Sequence, residues 1–168
     1  QSPQAMYWNT PGLEIVVAGS PADARGLMKT AVLRSDNPTI FIDHELLQNI
    51  TGEVDESQGE IPFGVADVKR EGSDVTIVAT SVMVYRALEA AERLAADGIA
   101  AEVVDPRTLV PLDKSTILKS VAKTGRVVVA DETQRSCGVT AEISAIIAEE
   151  GFESLKAPIK RVAIPDVP

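Results

Sequence analysis

The stretch AAEVVDPRTLVPLDKSTILKSVAKTGRVVVADE, residues 100–132, decides the fold predicted for this chain. It contains two short apolar segments, 101–104 and 127–130, that lack the strict alternation of strands with one exposed face. Between them, apolar residues such as Ile117 and Val121 fall on one face of an amphipathic helix. Because parallel strands need a crossover connection, which is almost always right-handed, this stretch predicts a strand, helix, strand unit of a layered α/β domain.

Further patterns extend this domain on both sides of the stretch. Residues 75–79 predict a buried strand, and the helix expected after it has Thr80 or Ser81 as its cap and Gly98 as its left-handed end. Residues 159–164 predict a strand that closes the sheet. The expected architecture is a three-layer α/β domain with a mostly parallel sheet of about five strands and about three helices.

The beginning of the chain predicts a smaller unit. Within residues 1–47, strand patterns at 14–19 and 39–43 flank a helix pattern, which indicates a β-α-β arrangement. Residues 48–63 are polar, acidic and glycine-containing without a sustained period. We therefore predict a surface linker at 48–63 and a second domain at 64–168.

Composition restricts the functions that this chain can have. Its 168 residues include 16 Lys and Arg against 25 Asp and Glu, a net charge of -9. This charge opposes binding to nucleic acid or to an anionic membrane and favours a basic protein partner. No apolar run approaches the roughly 20 residues that span a bilayer, and the first ten residues carry no targeting pattern. We expect a soluble intracellular protein, and the single cysteine excludes an internal disulfide.

Two residues, His44 and Cys137, are candidates for chemistry on their own. His44 follows a predicted strand, where a histidine can transfer protons, but without a neighbouring catalytic signature a hydrogen bond at a strand end or domain interface is favoured. Cys137 lies near a predicted helix start and near Arg135, two features that favour the thiolate. Since no histidine is near it in sequence, we predict a partly buried cysteine with a packing role.

A group of charged residues is expected near the carboxyl edge of the sheet: Asp105, Arg107, Asp113, Asp131 and Glu132. One interpretation makes the carboxylates acid and base residues. The other has Arg107 bridging acids to fix strand and loop positions, and it is favoured because no spacing specifies a paired-carboxylate mechanism. The chain contains neither GxGxxG nor GxxxxGK[ST], so no phosphate-binding loop is expected.

Taken together, five segments resemble the β subunit of thiamine diphosphate-dependent 2-oxoacid dehydrogenases, the first component of the pyruvate, branched-chain 2-oxoacid and acetoin complexes. These segments are TPGLEIVVAGSPADARGLMKTAV at 10–32, DNPTIFIDHELL at 36–47, ADVKREGSDVTIVATS at 66–81, EVVDPRTLVPLD at 102–113 and APIKRVAIPDVP at 157–168. Transketolase and deoxyxylulose phosphate synthase have a similar C-terminal domain, but the KREG turn and the PIKRV ending look more like the dehydrogenases.

The resemblance implies a transketolase-type C-terminal domain preceded by the last β-α-β part of a pyrimidine-binding domain. It also implies oxidative decarboxylation of a 2-oxoacid with acyl transfer to lipoamide, with thiamine diphosphate and magnesium in the complete enzyme. The family's activating glutamate and active-site histidine have no counterpart here, and His44 does not match that histidine. We therefore assign no catalytic or cofactor-binding residue, and we expect a truncated chain that is inactive alone.

The resemblance further implies three protein partners. They are the α subunit of the dehydrogenase, a second β subunit in a heterotetramer, and the peripheral subunit-binding domain of the acyltransferase core. The compartment implied is the cytoplasm in bacteria or the mitochondrial matrix in eukaryotes. A noncatalytic assembly module and a fragment of a transketolase-type enzyme are the alternatives.

Two sets of site residues follow from the resemblance. Some family members hold potassium with backbone oxygens near the turn that matches residues 31–37, so Ala31, Asp36 and Asn37 are the predicted metal site, although RSDNP carries a one-residue insertion. In the implied assembly domain, Asp105, Arg107 and Asp113 are predicted to hold a loop and an interface.

Overall fold

The computed structural model describes residues 2–55, 57 and 59–167. Residues 1, 56, 58 and 168, which belong to the predicted domain and linker ranges, lie outside the described residues. The α-helices and β-strands are α1 (Gln4–Trp8), β1 (Glu14–Val16), α2 (Pro21–Leu33), β2 (Thr39–Phe41), β3 (Asp67–Arg70), β4 (Val75–Ala79), α3 (Met83–Ala96), β5 (Ala101–Asp105), β6 (Thr108–Val110), α4 (Lys114–Thr124), β7 (Val127–Gln134), α5 (Val139–Glu150) and β8 (Lys160–Ile164).

The larger sheet has the strand order β3-β5-β4-β7-β8. Strands β5, β4, β7 and β8 are parallel, and β3 pairs antiparallel with β5 at one edge. Helix α3 packs on one face through Val84, Ala87 and Ala91, whereas α4 and α5 pack on the other through residues such as Ile117 and Ile143. The three-layer, mostly parallel α/β fold predicted from the sequence is confirmed.

The stretch at 100–132 contributes to two sheets. Its strands β5 and β7 do not pair with each other, because β4 lies between them. Between β5 and α4 the chain forms β6, which pairs antiparallel with β1 in a smaller sheet of order β2-β1-β6. The sequence analysis missed β6, which has only three residues and no alternating pattern of its own. The smaller sheet therefore joins a strand from the second half of the chain to the first β-α-β unit.

The two ends of α3 can be compared with the cap and the left-handed end that the sequence predicts. Gly98 has a φ of 78°, so the predicted left-handed end is confirmed. The predicted cap is wrong, because Val82 occupies the N-cap position without a side-chain hydrogen bond. The hydroxyl of Thr80 donates instead to Asp131 on the neighbouring strand. Ser81 has a φ of 52°, which is an uncommon conformation for a residue with a side chain.

The last residues of the predicted linker contact the middle of α2. Ile61 is buried, and its backbone N–H donates to the carbonyl of Gly26 at 3.1 Å. The Thr30 hydroxyl donates to the Ile61 carbonyl at 2.6 Å. A β-carbon on Gly26 would lie 2.5 Å from an Ile61 side-chain carbon, so this glycine permits the close packing.

Within the described part of the chain, no helix is long and apolar enough to cross a membrane.

Replacing Gly72 with alanine tests the turn between β3 and β4. A β-carbon at Gly72 would lie 2.3 Å from backbone atoms of Ala101 and Glu102 at the start of β5. Because backbone atoms cannot move aside cheaply, we expect Gly72→Ala to lower the free energy of unfolding by about 2 kcal/mol or more in urea denaturation. Gly59→Ala is the matched control, since the site of its β-carbon is open; an equal loss in both variants would contradict the packing argument.

Candidate functional site

Five charged side chains meet where α2, β3 and the end of β5 come together. We call this group the Asp105 cluster, which consists of Asp23, Asp67, Lys69, Asp105 and Arg107. Lys69 Nζ lies 2.6 Å from Asp23 Oδ2 and 2.7 Å from Asp67 Oδ2. Arg107 Nε lies 2.8 Å from Asp23 Oδ1, and its Nη2 lies 2.8 Å from Asp67 Oδ2. Each cation therefore joins α2 to β3.

Local sequence explains why these side chains converge. Asp23 lies in the first turn of α2, where its backbone N–H donates to the capping hydroxyl of Ser20 at 3.1 Å. Asp67 and Lys69 are two residues apart on β3, so their side chains lie on the same face of the strand. Arg107 has a φ of 62° in the tight connection from β5 to β6, and this turn directs its chain back toward α2.

Asp105 is the fully buried member of the cluster. Its Oδ1 accepts a hydrogen bond from the Arg107 backbone N–H at 2.9 Å, and its Oδ2 lies 3.9 Å from Lys69 Nζ. Burial raises the pKa of Asp105 to about 7, although Lys69 and the Arg107 amide favour the charged form. With Asp105 protonated, the two cations balance the two remaining carboxylates, Asp23 and Asp67.

Asp113 occupies a separate hydrogen-bonding environment. It is the N-cap of α4, with its Oδ1 accepting from the Thr116 N–H at 3.0 Å and its Oδ2 accepting from the Ala66 N–H at 3.0 Å. Partial burial opposes ionisation, but these hydrogen bonds outweigh it and lower the pKa of Asp113. The side chain connects the start of α4 to the segment before β3.

Asp131 and Glu132, in the second half of β7, form a third environment. Asp131 accepts from the Thr80 hydroxyl and from the Thr133 N–H, the latter at 2.7 Å. His44 Nδ1 accepts the Leu46 N–H at 3.1 Å, so the ring proton resides on Nε2 and is donated to Glu132 at 2.6 Å. The hydrogen bond predicted for His44 at a strand end is therefore present.

A polar cavity of about 30 Å³ lies beside these groups. Residues that line it include Gln4, Asp43, His44, Ser81, Asp131 and Glu132. It lies at the carboxyl ends of β4 and β7, where the sheet order reverses: β4 continues through α3 to β5 on one side, while β7 continues through α5 to β8 on the other. We call it the switch-point cavity, since such reversals are the usual ligand positions in open α/β sheets.

The structure separates residues that the sequence grouped together. Arg107 contacts Asp23 and Asp67, two residues that the sequence analysis did not assign. Its ion pairs do not include Asp113, Asp131 or Glu132, with which the sequence analysis had grouped it. Asp23 and Lys69 are 46 positions apart, and no spacing motif connects residues at such a distance. Their only sequence signals were a capped helix start and a charged strand.

Cys137 is exposed, so the prediction of a partly buried cysteine is wrong. It has a φ of 55° in the turn before α5. The next residue, Gly138, approaches the preceding backbone so closely that a β-carbon would lie 2.0 Å from the Gln134 carbonyl oxygen. This approach buries the backbone of Gly138 and leaves the preceding side chain at the surface.

The residues of the predicted potassium site lie at the end of α2 and in the loop before β2. Ala31 belongs to α2, whereas Asp36 and Asn37 follow it. The carbonyl of Asn37 accepts the Ser35 hydroxyl at 2.8 Å. No three His, Cys, Asp or Glu side chains come together as a metal-binding group among the described residues. Binding of potassium by backbone oxygens in this loop stays a prediction.

Replacing Asp105 with asparagine tests the buried carboxyl. The pKa of Asp105 rises from an ordinary 3.8 to about 7 on folding, so the folded state holds this proton more tightly. The stability that results from this tighter proton binding is present at low pH. The free energy of unfolding then falls by at most about 4 kcal/mol as pH rises from about 4 to about 7. We expect Asp105→Asn to gain stability relative to the parent between pH 5 and 8, roughly, in urea titrations. The exposed Asp97→Asn is the control, and parallel profiles for parent and Asp105→Asn would contradict the assignment.

Comparisons with known proteins identify the family to which this fold is similar. The family model described as "Transketolase, C-terminal domain" matches residues 64–168. A solved structure described as "Split gene transketolase, inactive beta4 tetramer" superposes with a TM-score of 0.77 at 31% identity, covering 100% of this chain and 54% of that chain.

Curated relatives agree with the resemblance seen in the sequence. The chain is 46% identical to "2-oxoisovalerate dehydrogenase subunit beta" of Bacillus subtilis, covering 100% of this chain and 51% of the relative. It is 45% identical to "Pyruvate dehydrogenase E1 component subunit beta" of Bacillus subtilis, covering 93% and 48%. It is 47% identical to "Acetoin:2,6-dichlorophenolindophenol oxidoreductase subunit beta" of Cupriavidus necator, covering 97% and 48%. The chain thus spans about half the length of these β subunits, and it belongs to the transketolase C-terminal domain family.

Proposed function

We propose that this chain is part of the β subunit of a thiamine diphosphate-dependent 2-oxoacid dehydrogenase. The proposed enzyme oxidatively decarboxylates a 2-oxoacid and transfers the acyl group to lipoamide. The observation that carries the proposal is 46% identity to a 2-oxoisovalerate dehydrogenase β subunit along the whole of this chain. Likeness of similar strength to the pyruvate and acetoin enzymes supports the reaction class without selecting one 2-oxoacid.

Within that enzyme, we assign this chain a structural and assembly role. The boundaries proposed are a pyrimidine-binding remnant at 1–47, a linker at 48–63 and the transketolase-type domain at 64–168. Asp105 has a pKa suited to proton transfer, but it is fully buried against Lys69 and the Gly19 backbone, out of reach of a substrate. Asp105 and Arg107 hold the loop after β5, and Asp113 holds the start of α4.

Thiamine diphosphate with magnesium would supply the electron sink for decarboxylation. The residues of this chain do not fit that cofactor: the sequence has no glycine-rich phosphate loop, and the described residues contain no cluster of three metal-binding side chains. We therefore assign the cofactor's ligands to the α subunit and to other parts of the β subunit. A potassium ion held by the loop at Ala31, Asp36 and Asn37 remains part of the proposal.

Exposed apolar side chains support contacts with other subunits. On α2, Val32 is 73% exposed and Leu33 is 61% exposed. Beyond β8, Val167 is 68% exposed. We propose that an α subunit and a second β subunit cover these side chains. The net charge of -9 favours docking of a basic peripheral subunit-binding domain from the acyltransferase core.

The proposed compartment follows from the relatives. They include bacterial proteins and proteins named as mitochondrial, such as a pyruvate dehydrogenase β subunit of Dictyostelium discoideum. We propose the cytoplasm for a bacterial source and the mitochondrial matrix for a eukaryotic one.

A transketolase-type enzyme is the second candidate function, and the superposition on a split-gene transketolase favours it. Its 31% identity is well below the 46% found for the dehydrogenase β subunit, so we place it second. The two candidates differ in substrate, since a transketolase acts on sugar phosphates and a dehydrogenase on 2-oxoacids.

Reconstitution of the complete enzyme tests the proposal. We expect the 168-residue chain alone, with thiamine diphosphate and magnesium, to release no CO₂ from 2-oxoacids, because none of its residues matches the family's catalytic groups. The complete subunit that contains this sequence should decarboxylate a 2-oxoacid when its α subunit is added. Activity of the lone chain would contradict the structural role, and turnover of sugar phosphates by the complete protein would contradict the reaction class.

Calorimetry separates assembly from docking. We expect the complete β subunit to bind both its α subunit and the acyltransferase's peripheral domain, with binding of the basic domain weakening as salt is raised. A chain that binds the peripheral domain without any affinity for an α subunit would indicate the noncatalytic module instead. Salt-independent binding would contradict the proposed role of the negative charge.

A further inference from the structure

Asp105 has a carboxyl oxygen that the protein leaves without a hydrogen bond. The side chain is fully buried, and among the described residues no donor reaches its Oδ2. The loop after β1 closes over this oxygen, because a β-carbon on Gly19 would lie only 2.8 Å from it. A buried charged oxygen without a donor is very unfavourable, so this geometry favours the protonated, neutral carboxyl.

A second carboxylate lies directly opposite Asp105. Strands β3 and β5 are antiparallel, and Asp67 at the start of β3 is the register partner of Asp105 at the end of β5. Side chains at opposite positions lie on the same face of a sheet with β-carbons about 5 Å apart, and like charges there are destabilising. Ionisation of Asp105 would therefore weaken the attachment of the first residue of β3, which is an edge strand.

The charged groups that face Asp105 come from α2, β3 and the turn after β5. They are Asp23, Lys69 and Arg107, and Asp67 shares both cations with Asp23. Strand β4, the other neighbour of β5, carries no charged residue, and the residues that α3 buries are also uncharged. The Asp105 cluster thus has three carboxylates and two cations, so its charges balance only when one carboxyl is protonated.

Asp67 is the carboxylate that can leave the cluster most easily. Its side chain is 36% exposed, whereas those of Asp23 and Asp105 are 2% and 0% exposed. Lys69 Nζ lies 2.7 Å from Asp67 Oδ2 and 3.9 Å from Asp105 Oδ2. Since an N–H···O hydrogen bond is about 2.9 Å long, a movement of about 1 Å would bring this ammonium to Asp105. Water can replace it at the exposed Asp67.

We propose that the proton on Asp105 fastens the start of β3 to β5, and that loss of this proton transfers Lys69 from Asp67 to Asp105. The proton goes to solvent, Lys69 keeps its charge, and the Asp67 carboxylate becomes hydrated. Asp23 keeps its contacts with Lys69 and Arg107, so α2 stays in place. The device acts on the edge strand that follows the linker at 48–63.

The pH range of this device follows from the buried carboxyl. Burial raises the pKa of Asp105 from 3.8 to about 7, so the proton is held at low pH and lost as pH rises through 7. When β3 opens, Asp105 gains access to solvent and returns to its ordinary acidity. Linkage then predicts that the equilibrium constant for opening of β3 rises about tenfold between about pH 6 and about pH 8.

Hydrogen exchange of the complete protein, resolved by peptide mass spectrometry, measures this opening. After correction for the exchange rate of unstructured peptides, we expect the protection factor of the β3 amides to fall about tenfold between about pH 6 and about pH 8. Strand β8 is the matched control, because it is the opposite edge of the same sheet and contains no residue of the Asp105 cluster. Unchanged protection of β3, or an equal fall in β8, would overturn the proposal.

Substitutions separate the fastening from other effects of pH. Asp105→Asn keeps a neutral side chain at every pH, so protection of β3 should no longer fall. Asp67→Asn removes the opposing charge, so the fall should be smaller than in the parent. Because Asp67 is partly exposed, this second variant keeps the test open if the buried substitution prevents folding. Asp97→Asn, at the exposed end of α3, should leave the fall unchanged.

A full fall that persists in Asp105→Asn or in Asp67→Asn would overturn the proposal. None of these measurements requires enzyme activity, so failure of the proposed dehydrogenase function would not affect the result.

Discussion

The ion pairs between Asp23 of α2 and the two cations Lys69 and Arg107 are the interaction on which the arrangement of the chain depends. Asp23 is 1% exposed, so its charge would be very unfavourable without both partners. Removing one partner of a buried ion pair typically costs about 3–5 kcal/mol, far more than an exposed pair contributes. Because the partners come from β3 and from the turn after β5, α2 has one favourable position against the larger sheet.

The position of Asp105 follows from the same interaction. Lys69 and Arg107 already contact two carboxylates, and the third, Asp105, lies 3.9 Å from Lys69. A third negative charge in a buried group with two cations is unfavourable, in addition to the loss of solvent. This explains why a residue with a pKa near 7 belongs to a structural cluster here. A shifted pKa indicates a site only when a substrate can also reach the group.

The sequence predicted the larger sheet because its signals are local. The apolar runs of β4, β5 and β7 and the helical patterns between them need no information from distant residues. The pairing of Asp23 with Lys69, by contrast, depends on how α2 packs against β3. The three residues of β6 have too little pattern to distinguish a strand from a loop. Thr80 also has a local signal for a helix cap, but its contact with Asp131 across the sheet overrides that signal.

The stretch at 100–132 connects these features physically. Its β5 carries Asp105 to the cluster, its β6 pairs with β1, and its β7 carries Asp131 to the switch-point cavity. Leu109 of β6 and Ile15 of β1 pack in the same apolar core as α4 and α5. The two sheets therefore share a core and a continuous chain segment. Arg107 belongs to the Asp105 cluster, and its carbonyl accepts the Val17 N–H at 2.9 Å beside the smaller sheet. A change in the connection after β5 would therefore alter both the cluster and the pairing of the smaller sheet.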